Sequence, residues 1–268
     1  MSSESLSTTE SSPDISSPED CVGQEIEFTD LESDRTTNIH VRQFLGQLGH
    51  GVFSSWVAKF SVSLESDSDI THQMVIKKYK ERQDVDLEIP EKIQTAYRNF
   101  FKIKKAGIPT WDTYRVNLEK RMILMTLGKK DGDIFLTAND LHRQSNILSG
   151  LPDSIEIENI DSLKDQAKDI INRLDDSKFA LSADCPGLRL SPTGDGKFTA
   201  EIIMADLDVL GDQADTDGLW IYNQDENRIA HNNFLNFSVF IEHTIGSIDS
   251  LRGKEKIVKD IIKHFILS

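Results

Sequence analysis

Leu48-Gly49-His50-Gly51-Val52-Phe53-Ser54-Ser55-Trp56-Val57-Ala58, followed by Met74-Val75-Ile76-Lys77-Lys78, is the stretch whose reading decides the fold. Gly49 and Gly51 carry no Cβ, so a strand turn at this place can bring backbone amides close to an anionic ligand. The alternation of apolar and polar residues through Val52 to Val62 and His72 to Tyr79 predicts two strands. Glu65-Ser66-Asp67-Ser68-Asp69 is the polar turn between them. Lys77 on the second strand is then placed to reach the phosphates that the glycine turn covers. Ser54 stands where a third glycine would complete G-x-G-x-x-G.

Working outward, His40 to Gly46 reads as a strand. Pro90 starts a helix whose Ile93, Tyr97, Phe100 and Ile103 recur at helical spacing until Gly107 stops it. Thr113 to Val116 and Arg121 to Thr126 read as two further strands, the second nearly all apolar and therefore central. Lys129 to Asp133 is a polar connection. Helical patterns follow at 138–148 and 160–174, then a hairpin from Leu188 to Met204 turning at Pro192-Thr193-Gly194-Asp195-Gly196, then amphipathic helices at 234–246 and 254–267.

Composition bounds the function. The formal net charge of -15 is concentrated in residues 1–40, where ten acidic residues meet only Arg35. Residues 1–36, rich in Ser, Thr, Pro, Asp and Glu, read as a disordered acidic tail. No basic stripe is available to displace counterions from nucleic-acid phosphates, which argues against a nucleic-acid binder. Cys21 and Cys185 cannot build a disulfide framework, and no long apolar span occurs, so a cytoplasmic protein without a membrane span is expected. The seven histidines show no metal-binding spacing.

The order strand, strand, strand, helix, strand, strand, with a glycine turn and a strand lysine at its start, resembles the N-lobe of a divergent, minimal protein-kinase-like fold. The later acids extend the resemblance: Asp184 in Leu181-Ser182-Ala183-Asp184 precedes the hairpin, and Asp206-Leu207-Asp208 closes it. That triplet is similar to the form found in small-molecule and lipopolysaccharide kinases. The resemblance implies a two-lobed α+β fold, with residues 37–128 as an antiparallel-sheet N-lobe carrying one helix and residues 129–268 as a reduced helical C-lobe.

It also implies ATP and Mg2+ as cofactors. Gly49, Gly51 and Lys77 would lie on the phosphates, Val75, Met125 and Leu127 around adenine, and Asp206 with Asp208 on the metal, with Asp184 as the base at an acceptor hydroxyl. The function implied is an ATP/Mg-dependent phosphotransferase acting on an unspecified hydroxyl-bearing substrate or protein partner; AMP transfer is a variant of it. The departures favour an alternative, a pseudokinase that binds nucleotide without turnover. Ser182 replaces the family's histidine, Arg189 its metal-binding asparagine, and Ala96 its helix glutamate, with Glu88 or Glu91 as substitutes. An acidic adaptor acting through the tail and C-terminal helices is the reading outside this family.

Overall fold

The computed structural model describes residues 15–49, 54–65, 69–80, 89–126, 133–137, 156–180, 185–194, 196–207 and 211–212. Six antiparallel strands close into a barrel: β1 (Glu25–Asp30), β2 (Arg35–Gly49), β3 (Ser54–Ser63), β4 (His72–Tyr79), β5 (Tyr114–Asn117) and β6 (Met122–Thr126), in the order β1-β2-β3-β4-β6-β5. Helix α1 (Ile89–Lys105) connects β4 to β5.

Strand periodicity builds the barrel interior. On β1, Glu25 and Glu27 face out while Ile26 and Phe28 are fully buried; on β3, Trp56, Ala58, Phe60 and Val62 point inward. Phe60 packs against both Phe44 and Trp56, with ring centroids 5.8 and 6.1 Å apart. The long strand β2 shifts register against β3 at three points, and Gly46 takes φ 144° at one of them, a conformation that a side chain would strain. Closure rests on β1, which pairs with β2 from Glu25↔His40 to Asp30↔Arg35 and with β5 at Thr29↔Val116.

This closure overturns the two-lobed kinase-like fold that the resemblance implies. The order of three strands, a helix and two strands is present between residues 35 and 126, but β1 adds a sixth strand and closes the sheet into a barrel. The stretch read from composition as tail supplies that strand. Glu25 and Glu27 occupy outward positions, so acidic residues coexist with the buried pair Ile26 and Phe28.

The described part of the second half is also mostly sheet rather than a helical lobe. Strands β7 (Ile134–Thr137), β8 (Glu156–Ile157), β10 (Pro186–Gly194) and β11 (Lys197–Met204) form one sheet in the order β7-β10-β11-β8, and β9 (Phe179–Ala180) pairs with β12 (Gly211–Asp212). Helix α2 (Ile160–Asp176) is the one helix described there, and the expected helices at 138–148, 234–246 and 254–267 lie outside the described residues. β8 covers β11 only at Lys197 and Phe198. Beyond it the edge is satisfied by two side-chain amides: Asn159 bonds both the N–H and C=O of Ala200, and Gln166 both those of Ile202.

One continuous core joins the two sheets. Val75 and Tyr79 from β4, Phe100 and Ile103 from α1, Leu163 and Ile170 from α2, and Ile202 and Met204 from β11 belong to a single buried cluster. Among the described residues no helix is long and apolar enough to cross a membrane.

α1 is tied to the β1–β2 turn. The Tyr97 hydroxyl donates to the Asp30 carboxylate and accepts the Glu32 N–H at 2.9 Å, while Asp30 also accepts the N–H groups of Glu32 and Ser33. Burial works to raise the Asp30 pKa, but the hydrogen bonds from Tyr97, Ser33 and Glu32 outweigh it and leave the carboxyl below its usual value. Burial first, and then the bond to Asp30, pushes the Tyr97 hydroxyl pKa up. The Asp30 contribution to stability is therefore present above the unfolded carboxyl pKa of about 3.9 and lost as pH falls through the lower folded value. The Tyr97 contribution is present below about pH 10 and lost as pH rises toward its folded value. Tyr97→Phe is expected to cost roughly 1–2 kcal/mol in urea denaturation at neutral pH, with the gap to wild type shrinking as the Asp30 carboxylate is protonated in acid. A gap that stays constant down to acid would contradict the Asp30–Tyr97 tie.

Candidate functional site

β4 presents two different faces. Met74 and Ile76 enter the barrel interior, whereas Val75 and Tyr79 lie in the cluster shared with α1 and the second sheet. Lys77 falls on the Val75 and Tyr79 side by strand alternation. Its side chain is only 10% exposed, with Nζ 2.7 Å from Asp206 Oδ1 and 5.0 Å from the centre of the Tyr79 ring. An ammonium taken out of water needs such a counter-charge, and the aromatic face adds to it.

Register places other expected site residues on this face. Gly49 pairs with Val57, Val57 with Lys77, and Lys77 with Ile123, so glycine and lysine lie in one cross-strand row. Two strand spacings separate Gly49 from Lys77, roughly 10 Å. Val75 pairs with Met125, and both are buried in the same cluster as Tyr79. Gly51, Leu127, Asp184 and Asp208 lie outside the described residues.

Asp206 follows β11, and its backbone is held on both sides. The N–H groups of Ala205 and Asp206 donate to the Cys185 carbonyl at 2.8 and 3.1 Å. The Met204 N–H donates to the Pro109 carbonyl at 2.8 Å. The Met204, Ala205 and Leu207 carbonyls accept from the Thr110 hydroxyl, the Trp111 indole N–H and the Asn99 amide, each at 2.8 Å. Sequence reasoning missed these three side chains. Asn99 was detectable as a lone amide in the buried stripe Ile93, Ala96, Phe100 and Ile103 of α1.

The helix glutamate expected to meet Lys77 is not at Ala96, which is buried; Glu91 is exposed in the first turn of α1, and Glu88 lies outside the described residues. Asp206 is the carboxylate at the lysine. Arg189 faces Glu201 across the β10–β11 hairpin and forms an ion pair with it. Neither cysteine is a nucleophile candidate by geometry, since both are fully buried, and burial pushes the Cys21 thiol up to about 12.

A lysine beside a carboxylate can receive a phosphate on the ammonium and a divalent cation on the carboxylate. Among the described residues no three His, Cys, Asp or Glu side chains group to hold a metal. Mg2+ keeps several waters and takes one or two carboxylates plus substrate phosphates, and Asp206 supplies one carboxylate here. No protein-family model matches the sequence, and no curated protein matches it.

Acylation by a small amine reagent checks the pair. Lys77 is expected to react far more slowly than exposed Lys105 in wild type and to accelerate several-fold in Asp206→Asn. Equal rates at both lysines would contradict the buried pair.

Proposed function

We propose that the face around Lys77 binds the phosphates of a magnesium-bound nucleoside triphosphate, ATP, and that the chain transfers a phosphoryl group to a hydroxyl acceptor. The observation that carries this reading is the ion pair of largely buried Lys77 with the more exposed Asp206, with Lys77 in one cross-strand row with Gly49. A lysine held as a point charge on a rigid strand suits phosphate. Asp206, on a backbone pinned by six hydrogen bonds, offers a carboxylate of fixed direction. Bound Mg2+ would neutralise phosphate charge. Val75 and Met125 give the same face an apolar floor suited to a base. Asp184 and Asp208, outside the described residues, complete the proposal as acceptor-side base and second metal ligand.

Binding without turnover is the second reading. Arg189, at the position where a second metal-binding side chain was expected, is committed to Glu201, which leaves fewer metal ligands.

Thermal-shift titration tests the binding. At ATP near a hundred times its Kd, wild type should gain about 2.7 kcal/mol, a rise of ~5 °C or more in Tm. Lys77→Ala should lose most of that shift, and Asp206→Asn only the increment added by Mg2+. No shift in wild type, or equal shifts in both variants, would overturn the site. ADP release with a hydroxyl acceptor separates transfer from binding alone.

A further inference from the structure

We propose that Asn99 is a positioning residue through which helix α1 sets the direction of the Asp206 carboxylate. The inference rests on the reading of Lys77 and Asp206 as a phosphate and metal site, and it adds the element that controls that site. Asn99 is 5% exposed within the apolar stripe of α1, and its Nδ2 donates to the Leu207 carbonyl at 2.8 Å. Asparagine is a poor helix former, and burying an amide is costly unless it is bonded. A leucine here would bury more apolar area but leave the buried Leu207 carbonyl without its donor.

The target of the bond explains the choice. Asp206 lies between Ala205 and Leu207, whose carbonyls are held by Trp111 and Asn99, while its own N–H is held by the Cys185 carbonyl. The peptide plane entering Asp206 is thereby held at both its carbonyl and its N–H, and the chain leaving it is anchored one residue on, at the Leu207 carbonyl, so the origin of the Asp206 side chain is bracketed. Asn99 is the member of this set that belongs to α1 itself. α1 is in turn bound at Tyr97 to the β1–β2 turn, and the Arg173 guanidinium of α2 donates to the carbonyls of Ala106 and Gly107 just past the end of α1. A movement of α1 is therefore transmitted to Asp206 through the Asn99 amide.

The test uses the full chain with Asn99→Leu, Asn99→Ala and, as a control for general loosening of the helix, Ile103→Ala. Asn99→Leu is expected to lower Tm no more than Ile103→Ala does, since added apolar burial offsets part of the cost of the unbonded Leu207 carbonyl, while Lys77 acylation rises several-fold. The gain in ATP affinity on adding Mg2+ should fall about tenfold, with Mg2+-free affinity unchanged. Wild-type acylation and Mg2+ dependence in Asn99→Leu would overturn the proposal. So would an equal rise in acylation in Ile103→Ala at matched loss of Tm. If wild type binds no ATP, the nucleotide reading falls alone, and the acylation of Lys77 still decides the role of Asn99.

Discussion

An ammonium held on an apolar face must find a carboxylate, and this requirement organises the junction between the barrel and the second sheet. Lys77 lies among Val75, Tyr79 and Ile123, where strand alternation would otherwise place a hydrophobe. Its partner Asp206 comes from the end of β11, 129 residues along the chain. The pair is uneven: the Lys77 side chain is 10% exposed and that of Asp206 37%. Water therefore reaches the carboxylate side of the pair.

An ion pair of this kind is a weak source of net stability, because desolvation offsets much of the Coulombic gain. Its effect is on geometry. The hydrogen bonds to the backbone of Met204 through Leu207, from Asn99, Thr110, Trp111, Pro109 and Cys185, all act on the strand end that bears the carboxylate. Several buried polar groups that a purely apolar core would avoid are thus spent on one direction in space. This concentration sets Lys77–Asp206 apart from the exposed Arg173–Asp169 pair, which joins successive turns of α2.

Local pattern made much of this legible. Apolar alternation identified β3 and β4, a nearly continuous apolar run identified β6, helical spacing placed α1 and α2, and the glycine turn beside Pro192 marked the β10–β11 hairpin. Lys77, Val75, Met125, Gly49 and Asp206 were singled out through the resemblance rather than by periodicity; the structure buries Val75, Lys77 and Met125 on one face, pairs Lys77 with Asp206 and sets Gly49 in the Lys77 row. β1 was hidden because Glu25 and Glu27 are the outward half of an alternating strand, and an acid count does not see which half is buried. Barrel closure depends on Thr29 meeting Val116, a pairing that neither segment encodes alone. The amide caps of Asn159 and Gln166 on β11, and the grip of Asn99 on Leu207, depend equally on distant backbone. For these reasons a two-lobed arrangement inferred from element order gave way to a closed barrel packed on a second sheet.

The most direct measurement of the central claim is a double-mutant cycle between Lys77 and Asp206, using Lys77→Met, Asp206→Asn and the double variant in denaturant unfolding. The account predicts a coupling of ~2 kcal/mol, with the double variant more stable than Asp206→Asn alone because no uncompensated ammonium remains buried. A coupling below about 0.3 kcal/mol, with additive losses, would contradict it.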